Sequence, residues 1–500
     1  MLILSARQIH DWDLYTMRNK PISSVDLMEI AATRCFQWLL QNGYRQQPFH
    51  FFCGKGNNGG DGLAIARMLA VKGIKVNVFI IEMGQQGTTD FQANLSRLHQ
   101  TDAAIFYIQS ADHFPVIPRN HIVIDALFGT GLNRPLKGLP SALVEHINLF
   151  PNRVIAIDIP SGLLADSSSR DFQVVKAMHT LSFQCLKMAF MMAENELFTG
   201  LVQVLDIGLL PGYLSDISYD ALLVEEEIIK SMYRPRPRFS HKGTFGHAAL
   251  VAGSHGFMGA ATLAANACLR TGVGKLTCHI PACGYTIIQV AAPEAMAKTE
   301  KGTNHIERLS GMDKYDAVGI GPGIGRYHDH AQLLKTFFDS FKKPAVIDAD
   351  ALNILSEHHH LLNIIAPFSI LTPHPAEFDR LFGDSRDDFA RMRLAQQKAK
   401  ELQLIIVLKG HRTLVAMPGG NCFFNCTGNP GMATGGSGDV LTGILTSLLA
   451  QHYPPEQAAL LGVYLHGLAG DYAAGRLTEE VMVAADISMH LPDAFRQLKR

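Results

Sequence analysis

The sequence predicts an α/β protein made of two doubly wound α/β domains in tandem. Three observations predict it. Short apolar strands alternate with amphipathic helical stretches from Phe49 to the C-terminal region. Almost every strand ends in a polar or glycine-rich loop, the place where open parallel sheets bind ligands. Residues 233–238, Tyr-Arg-Pro-Arg-Pro-Arg, read as an extended, solvated linker rather than as an element. The boundary is expected near 215–235, giving domains over 1–220 and 221–500, and 500 residues suit two or three domains.

In the first half, residues 1 to about 45 read as helical. Ser5 is an N-cap with Gln8 three positions later, and apolar residues recur at Ile9, Trp12 and Leu14. A second helix runs from Ser24 or Asp26 through Leu40 and stops at Asn42-Gly43. Phe49 to Cys53 is a buried strand. It leads into a loop, Gly54 to Gly62, and a helix from Leu63 to Lys72; a strand from Lys75 to Ile81 completes a βαβ unit. Within the loop lie Asn57, Asn58, Gly59, Gly60 and Asp61, whose side-chain oxygens add to the backbone donors. Two further strands end in polar loops: Ile122 to Leu127, carrying Asp125, and Val154 to Asp158, followed by Ile159-Pro160-Ser161-Gly162. An aspartate at a strand end can be a turn-former. Two such strands beside Asn57-Asn58 favour a shared site. Asn58, Asp125 and Ser161 offer hard oxygen ligands to a monovalent or divalent cation, and the residues alone do not select the ion. Gly200 to Asp206 closes the first sheet.

The second half repeats the alternation. His247 to Ala252 is followed by a glycine loop and a helix from Ala260 to Arg270. Later strands deliver Gly321 to Gly325, Asp348 to Asn353, Thr372 to Glu377 and Lys409 to Thr413 at their carboxyl ends. A binding site is expected there. Gly428 to Asp439 holds five glycines in twelve residues and precedes the apolar run from Val440. The run reads as a helix, so Gly435 to Gly438 lie at its start, where free N–H groups and the positive dipole end suit an anion such as phosphate. Asp439, in the first turn, is either a capping carboxylate or a base beside that anion. His358-His359-His360 reads as a solvated helix end or loop.

Composition excludes some classes. With 44 basic and 45 acidic residues the net charge is −1, which argues against a nucleic-acid binder or a polybasic membrane-surface protein. No signal peptide is expected from the first seven residues. Val440 to Ala450 is too short and too glycine-interrupted to span a bilayer. The eight cysteines are scattered; Cys422 and Cys426, with no second pair at ligand spacing, read as thiols rather than zinc ligands, and a reducing, cytoplasmic location follows.

The motifs carry a resemblance. Gly56 to Gly62, Asp125 to Gly131 and Asp158 to Gly162 resemble the NAD(P)H-hydrate epimerase family. His241-Lys242-Gly243, Gly321 to Gly325, Asp348 to Asn353, Thr372 to Phe378 and the Gly428–Asp439 loop resemble the ADP-dependent NAD(P)H-hydrate dehydratase family. The order is that of the bacterial bifunctional repair enzyme. The resemblance implies a Rossmann-like three-layer N-terminal sandwich and a ribokinase-like C-terminal domain. It implies K⁺ at Asn58, Asp125 and Ser161. It implies epimerase substrate contacts from Asn57, Asn58, Gly59, Gly60 and Asp61, from Gly129, Thr130, Gly131, Leu132, Asn133, Arg134 and Pro135, and from Asp158. For the dehydratase it implies substrate contacts from Ala260, Gly323, His374 and Asp439, and nucleotide contacts from Lys409, Gly410, His411, Arg412, Thr413 and Gly438. Lys55 stands where the family often has proline, His179 where aspartate is common, and Asp166-Ser167-Ser168-Ser169 lacks a usual glycine.

The implied activity repairs hydrated NADH and NADPH (NADHX and NADPHX), with ADP as co-substrate, Mg²⁺ at Glu377 or Asp348, and a homo-oligomeric assembly without nucleic-acid or membrane partners. Asp439 and Asp158 are the expected catalytic carboxylates. Two other readings stand beside it: a ribokinase-type small-molecule kinase with a nucleotide-binding N-terminal module, and a non-catalytic nucleotide-sensing scaffold. The kinase needs a stable phosphorylated product. The scaffold has no need of Asp158 and Asp439, and both are present.

Overall fold

The computed structural model describes residues 1–499 other than 216, 218 and 220. The chain divides into two compact units, Met1–Tyr219 with Asp387–Phe389, and Asp220–Arg386 with Ala390–Arg500.

The strands of the first unit are β1 (Leu2–Leu4), β2 (Phe49–Cys53), β3 (Val76–Ile81), β4 (Ala104–Ile108), β5 (Ile122–Ala126), β6 (Val154–Ile157), β7 (His179–Phe183), β8 (Leu186–Lys187) and β9 (Leu201–Leu205). Seven form a sheet in the order β4-β3-β2-β5-β6-β7-β9. Every pairing in it is parallel. Such a sheet must be covered on both faces. Phe49, Phe51 and Cys53 pack with Leu39, Leu63 and Phe91 of three helices, while Phe52 turns to the other face with Leu143 and Ile147 of a fourth. This is the expected Rossmann-like three-layer arrangement. Strand order reverses between β2 and β5, so their carboxyl ends open the crevice where such sheets bind ligands.

Three expectations for this unit need correction. Residues 2–4 are a strand, not helix: β1 pairs in parallel with β8, Leu4 opposite Lys187. Leu14 is only partly buried; the buried face of helix Ala6–Asn19 is Ile9, Trp12 and Thr16. The helix after β2 spans Asn57–Val71, so Asn57 to Asp61 are its first turn and not loop. Glycines read as breakers there, yet they serve packing. A Cβ on Gly59 would stand 1.7 Å from the Gly54 carbonyl oxygen, and one on Gly62 would stand 2.6 Å from the Ala126 Cβ.

The second unit contains β10 (Ala221–Leu223), β11 (His247–Val251), β12 (Lys275–Ile280), β13 (Met296–Thr299), β14 (Ala317–Ile320), β15 (Ala345–Ile347), β16 (Ile370–Leu371), β17 (Ile405–Leu408), β18 (Leu414–Ala416) and β19 (Cys422–Phe424). They are ordered β13-β12-β11-β14-β15-β16-β17-β18-β19-β10. Strands β11 to β17 pair in parallel, and β18 runs antiparallel to both β17 and β19. That antiparallel pair departs from strict strand–helix alternation. Helix Ser437–Ala450 buries Val440, Leu441, Ile444, Leu445 and Leu448 against one face of the sheet and the helix Met258–Thr271.

The expected linker is exposed over 234–238, as a solvated segment should be, and two of its arginines lie over rings. The Arg234 guanidinium lies 5.0 Å over the Tyr453 ring, and that of Arg236 lies 3.9 Å over Phe245. No helix among the described residues is long and apolar enough to cross a membrane.

Candidate active sites

In the first unit the crevice is built from the ends of β2, β5 and β6. Asp125 is fully buried at the end of β5. Its carboxylate accepts from the Ser161 N–H at 2.7 Å and the Ser161 hydroxyl at 2.6 Å. Burial still pushes Asp125 up to about 6, with the Ser161 bonds opposing. Asn58 is buried, and among the described residues its amide oxygen and nitrogen find no hydrogen-bond partner. A buried amide left unpaired costs about 1–3 kcal/mol unless a ligand completes it. Gly129 lies beside it: a Cβ there would come 3.3 Å from Asn58 Cβ and 3.6 Å from Asp158 Oδ2. Asn58, Gly129 and Asp158 therefore converge, with Asp125 and Ser161 joined in the same loop layer. Farther along, Gly131, Asn133 and Arg134 are exposed. Lys55 is held at 2.5 Å by Glu82, away from this cluster.

Asp158 follows β6 with φ of +67°, a conformation that costs a non-glycine residue about 1 kcal/mol or more. Its Oδ1 lies 2.5 Å from Nζ of Lys187, whose side chain is 0 % exposed. The same Nζ donates to the Ser182 hydroxyl at 2.6 Å. Burial and Asp158 push Asp13 up to about 7, with Lys187 opposing. Burial, Asp158, Asp13 and Asp90 raise Asp61 well above the carboxylate range. The site is thus one lysine among three acids, with only Asp158 in an ion pair. Asp13 and Lys187 escaped the sequence reading. Both left a signal: Asp13 is a carboxylate four residues after Ile9 on a buried helix face, and Lys187 is a lone charge between Cys185-Leu186 and Met188 to Met192.

In the second unit the helix Ser437–Ala450 begins at Gly436, whose φ is +93°. The N–H groups of Gly435, Gly436, Gly438 and Asp439 donate no hydrogen bond among the described residues. Asp439 makes no capping bond either. The cap reading fails, and four free donors remain at a helix N-terminus. Lys409 reaches this loop from the end of β17. Its Nζ would lie 3.3 Å from a Cβ on Gly438. It binds Asp348 Oδ1 at 3.0 Å and stands 3.8 Å from Glu377. Burial would lower Lys409, but Asp348, Glu377 and Asp439 hold it above its ordinary value. Asp348 also accepts from the Thr442 hydroxyl at 2.7 Å. Burial, Asp348 and Asp350 push Asp439 up to about 7 against the pull of Lys409.

The remaining expected residues follow strands β11, β14, β16 and β17. His374 caps helix Pro375–Phe382 in a reciprocal box with Glu377: its N–H donates to Glu377 Oε2 at 2.8 Å, and its Nδ1 accepts the Glu377 N–H at 3.3 Å. Gly323, at φ +62°, packs on Ala260; a Cβ there would stand 3.1 Å from Ala260 Cβ and 2.7 Å from the Phe257 carbonyl oxygen. Gly410 to Thr413 form an outer turn closed by the Thr413 hydroxyl on the Gly410 carbonyl at 2.9 Å, so Lys409 turns inward while Gly410 and His411 are exposed. Sequence reasoning missed Asp471, which pins the glycine loop by accepting from Gly428 N–H at 2.9 Å and Asn429 Nδ2 at 3.0 Å. It sits inside a long helix, where nothing in its spacing marks it.

The chain is similar to known proteins along its whole length. The family described as NAD(P)H-hydrate dehydratase matches residues 248–493, and that described as YjeF-related protein N-terminus matches 24–189. A bifunctional NAD(P)H-hydrate repair enzyme of Moorella thermoacetica is 34% identical, the alignment covering 100% of this chain and 97% of the relative. One from Coxiella burnetii is 32% identical over 97% of each chain. A crystal structure of a ribokinase-like superfamily protein from Enterococcus faecalis V583 superposes with a TM-score of 0.50 at 28% identity, covering 57% of this chain and 98% of that one. The second unit accordingly has the ribokinase-like fold, and the chain as a whole belongs to the bifunctional NAD(P)H-hydrate repair enzyme family.

Proposed function

We propose that residues 1–220 interconvert the R and S forms of hydrated NADH and NADPH, and that residues 221–500 dehydrate the S form with ADP, releasing AMP and phosphate. The observation that carries the reading is Asp439, uncapped and pushed up to about 7, beside Lys409 and four free N–H groups. Hydrated nicotinamide bears a C6 hydroxyl next to the ring nitrogen. Hydroxide leaves poorly, since the pKa of water is about 15.7. Phosphate leaves far more easily, its second pKa being about 6. Asp439 takes the hydroxyl proton as the oxygen attacks the terminal phosphorus of the nucleotide. The free N–H groups and Lys409 meet the charge on the transferring group. The ring nitrogen then expels phosphate, and loss of a C5 proton restores the reduced ring. A small-molecule kinase would share this apparatus but needs a stable phosphorylated product, and recovery of NADH with AMP and phosphate would exclude it.

In the first unit the nitrogen lone pair expels the hydroxyl and water returns to the other face of the planar cation. Asp158 faces that cation while Lys187 balances its charge, and one of the raised acids, Asp13 or Asp61, gives the proton that lets hydroxide leave as water and takes one back as water adds to the other face. The contacts of 57–61 and 129–135 hold the dinucleotide.

Asn58, Asp125 and Ser161 would hold K⁺: the donors are oxygens, and the unpartnered Asn58 amide fits a missing ligand. Glu377 or Asp348 would hold Mg²⁺ through water, neutralising nucleotide phosphates. A cytoplasmic location belongs to this proposal, since the substrates are soluble charged dinucleotides. The test is recovery of reduced-nicotinamide absorbance from hydrated NADH with ADP, with AMP and phosphate quantified. A phosphorylated nicotinamide that accumulates instead would sink the dehydratase reading.

A further inference from the structure

Away from both sites, the second unit brings together three metal-binding side chains. His305 lies in the segment between β13 and β14, and Asp329 and His330 open the helix His330–Ser340. Their donor atoms all lie within 4.8 Å of one another. His305 Nε2 and Asp329 Oδ1 face each other at 3.5 Å, too far for a hydrogen bond. Both atoms are buried and, among the described residues, neither has a hydrogen-bond partner. His330 is 0 % exposed, with Nδ1 2.9 Å from the Gly325 carbonyl oxygen and Nε2 3.1 Å from that of Ile306. A neutral imidazole has one N–H, so only one of these contacts can be a hydrogen bond and the other sets a lone pair against a carbonyl oxygen.

The His305–Asp329 separation suits a metal's first shell. Ligands about 2.1 Å from a metal stand about 3.0 Å apart at right angles and about 3.4 Å apart in a tetrahedron. The one directly opposed pair of donor atoms, His305 Nε2 and Asp329 Oδ1 at 3.5 Å, falls near the tetrahedral edge. Tyr327 stacks flat on His305 at 3.9 Å, which fixes the imidazole plane. The His305 and Asp329 side chains keep 20% and 26% of their surface exposed, so the cluster lies close to the surface although its donor atoms are buried. Two imidazoles and one carboxylate suit borderline first-row metals and do not suit Mg²⁺ or Ca²⁺, which prefer oxygen.

We propose that His305, Asp329 and His330 form a binding site for a divalent transition-metal ion of the zinc, cobalt or nickel kind. The ion would join the 300–315 segment to the loop that carries Gly323 and Gly325, and so brace the wall of the second unit's site without entering the chemistry. The test titrates the full chain with Co²⁺ and Zn²⁺ in excess Mg²⁺ and K⁺, by calorimetry and by the visible Co²⁺ spectrum. The expected result is a single tight ion per chain with a nitrogen-ligated Co²⁺ spectrum. His305→Ala and Asp329→Ala should each weaken it by more than ~100-fold, beyond the ~10–100-fold that losing an outer partner costs. The surface variant H358A/H359A/H360A should bind as the parent does. His305 lies outside any regular element, so H305A keeps the test open if D329A fails to fold. Binding that survives H305A, binding lost in the surface triple variant (an adventitious ion only), or no binding at micromolar Co²⁺ would each overturn the proposal.

Discussion

Burial, Asp348 and Asp350 all oppose ionisation of Asp439, and only Lys409 favours it, so the carboxyl titrates at about 7. As a base it must be ionised, so kcat/KM for dehydration should fall as pH drops below about 7. Asp439→Asn should cost ~10²–10⁴-fold in that constant while leaving epimerisation intact. Stability should move the other way. The folded value is raised above the unfolded one, so the group's favourable contribution is complete below the ordinary carboxylate range and is lost as pH rises through about 7. Asp439→Asn removes that loss. Thermal unfolding at pH 8 should show the variant more stable by about 1–3 kcal/mol, with little difference at pH 4. Equal shifts at both pH values would contradict the assignment. Lys187 offers a second residue-level test. Lys187→Met strands the buried side of Asp158 and should cost about 3 kcal/mol, while the double variant with Asp158→Asn should cost less than the two singles together.

The helix Ser437–Ala450 contains a mid-helix glycine that propensity disfavours by about 1 kcal/mol relative to alanine. A Cβ at Gly443 would stand 2.2 Å from the Ala264 carbonyl oxygen and 2.9 Å from Ala267 Cβ. Overpacking exceeds the propensity gain, so Gly443→Ala should lower stability by about 1–3 kcal/mol, and an unchanged Tm would refute the close crossing. The same ambiguity limited the sequence reading. Gly59 and Gly62 signal a loop by composition, but they let a helix pack on Gly54 and Ala126. Helix Asn57–Val71 therefore begins earlier than expected. The parallel strands were legible because their apolar runs are continuous and end in polar loops, which put Asp125, Asp348 and Lys409 at strand ends without any structure. Lys187 stands out in the sequence as a lone charge in an apolar run, but its ion pair does not, since its position depends on β8 pairing with β1, which local patterning does not encode. Asp13 was missed because a carboxylate on a helix reads as solvated until the neighbouring strands are in place. β18 was missed because a three-residue strand carries too little alternation to read.

Two activities on one chain answer a chemical problem neither unit solves alone. Water adds to either face of reduced nicotinamide, so both C6 epimers form, and a stereospecific dehydratase leaves one behind. This predicts a pattern of end points rather than a single rate. With racemic hydrated NADH and excess ADP, the intact chain should return all of the absorbance of reduced nicotinamide. Asp158→Asn should return the S half quickly and then slow to the uncatalysed exchange. Asp439→Asn should return almost none, yet should still exchange the two epimers, which chromatography resolves. Mixing the two variants should restore full recovery, because each supplies the site the other lacks. If Asp158→Asn alone ran to completion at the parent rate, epimerisation would not reside at that carboxylate. If the mixture stalled at half, the Asp439→Asn chain would lack a working first site. The outcome is fixed by which aspartate each variant keeps, so it tests both assignments in one experiment.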